Sequence, residues 1–123
     1  MSDGGNFFDD RKAHALRAAF IEKLVDWSLW LEKETSNIET SSDNSDAVTQ
    51  HLQAISELTH KIAGTAASFG FPITSQNAAK LEEMSERLIN TARAPNSSEI
   101  TALIENVAFL SQTIAREISP ATA

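Results

Sequence analysis

The sequence predicts an all-α fold, an antiparallel four-helix bundle, on three observations. Four segments repeat apolar residues at spacings of three and four, the period of a helix with one buried face. No segment sustains the apolar–polar alternation of a strand, and tyrosine is absent. Glycine and proline are few, four and three residues, too few to punctuate a chain of short strands.

The first helix is read from about Asp10 to Glu34. Asp9 and Asp10 suit a helix start by side-chain capping and by charge. Leu16, Phe20, Leu24, Trp27 and Leu31 make one stripe, and Ile21, Val25 and Leu29 add a second flank. Trp27 and Trp30 read as core or flank residues rather than as a cofactor box. The polar run from Thr35 to Ser45 reads as a long mobile loop, rich in residues that cap and turn.

The second helix starts near Ser45 or Asp46. Its buried stripe is Val48, Leu52, Ile55, Thr59, Ile62, Ala66 and Phe69, and Gly70 and Pro72 stop it. The third runs from Thr74 or Ser75 to about Ala92, with Ala78, Leu81, Ser85, Leu88 and Ala92 inward and Met84 alongside. Pro95 ends that segment. Asn96 caps the fourth helix, with Glu99 three residues on in capping-box spacing. Ile100, Leu103, Ile104, Val107, Leu110, Ile114 and Ile118 form its apolar face. One domain over 10–119 is expected, with a flexible terminus over 1–9 and a tail over 120–123.

Composition excludes several functions. The chain has no cysteine, so disulfides, thiolate catalysis and Cys-based zinc sites are out. A net charge of −7 repels phosphate backbones and argues against nucleic acid as a partner. Met1-Ser2-Asp3-Gly4-Gly5 lacks the basic start and apolar run of a signal peptide, and no stretch reaches the ~18 apolar residues of a membrane span. A cytoplasmic protein without a membrane partner is expected. No glycine-rich nucleotide loop is present, so the chain has no ATP site of its own to read.

His60 is the candidate reactive residue. At ~100° per residue it falls about 130° from the direction shared by Ile55, Thr59, Ile62 and Ala66, and so leaves the core. Its helical neighbours are Ser56, Glu57, Ala63, Gly64 and Ala67, four of them small. Solvated helix faces usually carry Lys, Glu and Gln instead, and a mid-helix glycine costs roughly 0.5–1 kcal/mol relative to alanine. Gly64 therefore clears space beside the imidazole for a phosphoryl group or a partner's backbone. A neutral imidazole is a nucleophile near physiological pH. Phosphoryl transfer asks mainly for positioning and charge neutralisation. The plain alternative is that the small face is a tight helix–helix contact. His14 and His51 lack such a neighbourhood and read as ordinary surface residues. Glu57-x-x-His60 is one half of a di-metal pattern, and no second half accompanies it, so no metal site is expected.

The run His60-Lys61-Ile62-Ala63-Gly64-Thr65-Ala66-Ala67-Ser68-Phe69-Gly70-Phe71 resembles the signature of histidine phosphotransfer domains and the related domain of chemotaxis kinases. Gly64 and Gly70 occupy the two glycine positions, and Leu81-Glu82 resembles a leucine–glutamate pair on the next helix. The resemblance implies a four-helix bundle. It implies phosphoryl exchange between His60, usually at Nε2, and an aspartate of a response-regulator receiver domain, which supplies magnesium. An upstream histidine kinase would be the source, and the chain itself would be a carrier rather than an enzyme. Lys61 and Gly64 are the candidate phosphate environment, and Ser56, Glu57, Ala63, Gly64 and Ala67 the candidate docking residues. Where the family often has lysine, three residues after the histidine, this chain has Ala63. Two rival readings follow: an adaptor that docks the same partners without carrying phosphate, and an oligomerisation module with the His60 face buried between copies.

Overall fold

The structure is a computed structural model that describes residues 3–91 and 93–119, with side chains from Asp10 onward. It holds four helices: α1 (Asp3–Thr40), α2 (Ser45–Ala66), α3 (Pro72–Asn90) and α4 (Ser97–Ile118). A 3₁₀ turn, Ala67–Phe69, follows α2. Each helix packs on two others, α1 on α4 and α2, α3 on α2 and α4. Short connections make sequential helices antiparallel, so the predicted all-α four-helix bundle is what forms. Among the described residues no helix is long and apolar enough to cross a membrane.

The core runs along the predicted stripes. On α2, Val48, Leu52, Ile55, Thr59, Ile62 and Ala66 are buried, and on α3 Thr74, Ala78, Leu81, Ser85 and Leu88. Phe69, read as the end of the α2 stripe, is half-buried in the 3₁₀ turn because α2 itself stops at Ala66. The buried hydroxyls are satisfied locally: Thr59 Oγ1 donates to the Ile55 carbonyl at 2.7 Å and Ser85 Oγ to the Leu81 carbonyl at 2.9 Å. Such back-bonding removes the cost of an unpaired hydroxyl without calling on another helix.

The helix ends follow the sequence signals with one long-range addition. Asn44 caps α2 by accepting from the Ala47 N–H at 3.2 Å. Asn96 and Glu99 form the expected capping box on α4. The Arg93 guanidinium, bonded to Glu99 at 2.7 Å, holds that carboxyl below its ordinary range, and the backbone of Asn96 adds to the effect. Gly70 adopts φ +90°, a conformation costly for a residue with a Cβ, and turns the chain out of α2. Pro72 then opens α3 two residues earlier than the reading at Thr74, since its fixed φ suits the first helical position. No side chain at Phe71 caps α3. Instead Glu117, near the end of α4, accepts from the Ile73 and Thr74 N–H groups at 3.1 and 2.5 Å.

The largest departure is in α1. It begins at Asp3 rather than near Asp10, and it continues through Thr40, so the loop read over 35–45 shrinks to residues 41–44. The polar residues that suggested a loop bond within the helix: Thr35 Oγ1 to the Glu32 carbonyl at 2.9 Å, Asn37 Nδ2 to Glu34 at 3.1 Å, Thr40 Oγ1 to the Asn37 carbonyl at 3.1 Å. Burial of Thr35 and Ile38 overrides their neighbours' weak helix propensity. The opposite error concerns Leu16, Val25 and Leu29, read as stripe or flank: they are exposed, as is Trp30. One face of α1 suffices to cover α2 and α4, so the flanks stay in water. Phe71, which the periodicity did not single out, is fully buried. It stacks near Phe20 at 6.2 Å between centroids, under the Arg17 guanidinium at 4.6 Å. Ala92 and the tail over 120–123 lie outside the described residues.

Ile38 is 0% exposed, so Ile38→Ala should lower unfolding free energy by about 2–4 kcal/mol, the range for a truncated core aliphatic. Urea denaturation measures it. A change within about 0.5 kcal/mol, ordinary for a surface loop residue, would show that the chain beyond Glu34 does not pack on the bundle.

Candidate functional site

His60 lies on the outward face of α2, opposite the buried Ile55, Thr59 and Ile62. Its side chain is 78% exposed, yet Nδ1 sits 2.7 Å from Glu82 Oε2 on α3. Glu82 follows the buried Leu81 and is itself 80% covered, its carboxyl carried at the edge of the α2–α3 seam. An ionised carboxylate can only accept a hydrogen bond. The pairing therefore assigns the proton to Nδ1 and leaves the lone pair on Nε2, the ring nitrogen at the far end of an exposed side chain. A histidine so held is an oriented nucleophile whose developing positive charge has a carboxylate beside it.

The seam that aligns this pair is locked one turn away. Ser75 Oγ, near the start of α3, donates to the Ala63 carbonyl on α2 at 2.6 Å. Ala63 is half-buried and packs against the core. It is thus on the α3 side of the face rather than fully on the open side. Ser56 is half-buried on the same edge, and its carbonyl accepts from Thr59 Oγ1 at 3.1 Å.

Gly64 and Ala67 are exposed beside His60. A Cβ built on Gly64 meets no atom within 4 Å. The glycine is not there to admit a neighbouring helix of this chain, which removes the tight intramolecular contact as its explanation. Glu57 and Lys61 are exposed toward α1 and line a shallow depression with Trp27, Trp30, Ala54 and Leu58. The Lys61 ammonium stands 5.9 Å from the Trp27 ring centroid. The structure thus groups His60, Gly64 and Ala67 on an open strip, with Ser56 and Ala63 along its α3 edge and Glu57 and Lys61 along its α1 edge.

Glu82 is the functional candidate that residue-level reading did not assign. The Leu81-Glu82 pair was visible, but contact across 22 residues depends on how α2 and α3 align. His51, read as an ordinary surface residue, is tied to α1 through Glu34 at 3.1 Å and is only partly exposed. Among the described residues no three His, Asp or Glu side chains converge to hold a metal ion.

No curated protein and no solved structure matches the chain. The model of the Hpt domain family matches residues 19–113, well over half of the sequence. That span contains His60, Gly64, Glu82 and the greater part of all four helices. The chain belongs to the Hpt domain family, the histidine phosphotransfer carriers of two-component phosphorelays.

Proposed function

We propose that His60 carries the phosphoryl group at Nε2 and exchanges it with the aspartate of a response-regulator receiver domain, an upstream histidine kinase being the ultimate source. The single observation that supports this best is the 2.7 Å contact between His60 Nδ1 and Glu82 on an otherwise exposed ring. Attack by the Nε2 lone pair on the aspartyl phosphate forms the N–P bond as the P–O bond breaks, and the aspartate leaves as its carboxylate. The imidazole becomes cationic, and Glu82 stabilises that charge without taking the Nδ1 proton. Transfer onward reverses the same step. The magnesium such transfers use is assigned to the receiver.

Small residues support close docking. Gly64 and Ala67 leave the space about Nε2 open to the partner, while Ser56, Glu57 and Ala63 form the rim. The adaptor reading rests on Ala63, which leaves the family's frequent lysine position without charge. It predicts binding of a phosphorylated receiver with no gain of label. The carrier reading predicts acid-labile phosphate on the chain.

His60→Gln should abolish that label with no change in melting temperature, since the ring is exposed. Label retained on the variant would transfer the role to another residue. Glu82→Ala should keep the label but slow its gain about 10–100-fold, the rate equivalent of the ~1.5–3 kcal/mol of a hydrogen bond to a charged group. Glu82→Gln, which still accepts a bond but lacks the charge, should fall between. Equal rates in all three would show that the pair plays no part in transfer.

Gly64 separates packing from docking. With nothing within 4 Å of its added Cβ, Gly64→Ala should raise stability by about 0.5–1 kcal/mol. Gly64→Glu should fold as well but cut receiver-to-His60 transfer by about tenfold or more, through bulk and repulsion at the docked phosphoryl group. Unchanged transfer would move the docking surface elsewhere.

A further inference from the structure

A phosphoryl group on Nε2 would carry a charge of about −1.5 to −2 in acidic surroundings. Glu82 lies against the other ring nitrogen, and Glu57 is one turn away on α2. Lys61 is the only lysine or arginine in α2. Lys23 of α1 lines the neighbouring depression with it but is carried on another helix, whereas Lys61 is adjacent to His60 in the chain. The cations of α3, Lys80 and Arg87, lie about 140–160° round that helix from Glu82 at ~100° per residue, toward α4. Nδ1 is engaged by Glu82 on α3, which leaves Nε2 as the free ring nitrogen, and Lys61 is the next residue of α2, exposed on the α1 side of the strip. The Lys61 ammonium meanwhile rests near the Trp27 face at 5.9 Å, close to the ~6 Å outer limit of a cation–π contact. A contact that long on an exposed side chain is weak, whereas an ammonium on a phosphoryl oxygen makes a charge-assisted hydrogen bond.

We propose that Lys61 is the chain's own counter-ion for phosphorylated His60, resting on Trp27 while His60 is free and exchanging to the phosphoryl oxygens when Nε2 is occupied. This rests on the carrier reading of His60. The long, flexible lysine stem allows the exchange without movement of α2. An ammonium on the phosphoryl oxygens makes a charge-assisted hydrogen bond and offsets the repulsion from Glu57 and Glu82 that otherwise favours departure of the group. Lys61 is thus a positioning and stabilising residue, and Trp27 is its resting place.

The full chain can be labelled with phosphoramidate: the donor's P–N bond breaks, ammonia leaves and the Nε2–P bond forms. Phosphorus NMR then follows decay of the label. Lys61→Gln should shorten the half-life about three- to tenfold through loss of the charge-assisted bond, and Lys61→Arg should restore most of it. The difference should shrink in high salt. In a Trp30→Phe background Trp27 is the sole tryptophan, and its emission should change on phosphorylation, but not when Lys61→Gln is added. Equal half-lives, or Trp27 emission that ignores phosphorylation, overturns the role of Lys61 while leaving the carrier reading in place. A parent protein that takes no label on His60 overturns both.

Discussion

Close packing of α2 on α3 is the constraint on which the candidate site depends. Thr59 and Ala66 on one helix and Ala78 and Ser85 on the other are small and buried, and small residues at a helix contact let the backbones approach. The approach is fixed along the axis by the Ser75 hydroxyl on the Ala63 carbonyl. With spacing and register both set, an exposed histidine on one helix meets a partly covered glutamate on the next. A shift of one residue along α3 would carry the carboxyl ~100° round its helix and out of reach. The site is thus a consequence of core packing that happens at its outer edge.

The other two helices hold this pair of helices in place. α4 reaches the start of α3 through Glu117, which caps N–H groups that no local side chain serves. At the same end of the bundle Phe20, Phe69 and Phe71 gather, with Phe20 stacked on Phe69 at 4.4 Å. Arg17 Nε donates to the Phe69 carbonyl at 3.0 Å. The turn after α2 is therefore pinned from α1 by a hydrogen bond and by aromatic burial. Gly70 supplies the one left-handed conformation it needs. That turn carries the chain from the histidine helix to the glutamate helix, so α1 and the turn both serve the alignment of the site.

Charge is arranged unevenly about the strip. Its α3 edge bears the carboxyl that orients His60, and its α1 edge bears the aromatic depression and Lys61. The exposed ring of His60 lies between the Glu82 carboxyl and an edge that carries both Glu57 and Lys61. Glu82 orients the ring, and in the proposed role Lys61 answers the charge that the ring would carry.

Local periodicity determined much of this protein. The four helices, the buried stripes of α2, α3 and α4, the capping box at Asn96 and the outward direction of His60 follow from spacings and short-range hydrogen bonding. The run from His60 to Phe71 was enough to mark the family. Three features were hidden because they depend on neighbours far along the chain. Thr35 and Ile38 are helical because other helices bury them, against a polar local composition. Val25 and Leu29 stay exposed because, among the described residues, no helix is set against that side of α1, and Leu16, on another side, borders an open surface depression. Glu82 meets His60, and Lys61 meets Trp27, only through the register of one helix on another. Helical period fixes the direction a side chain takes from its own axis, whereas what it finds there is decided by packing between helices.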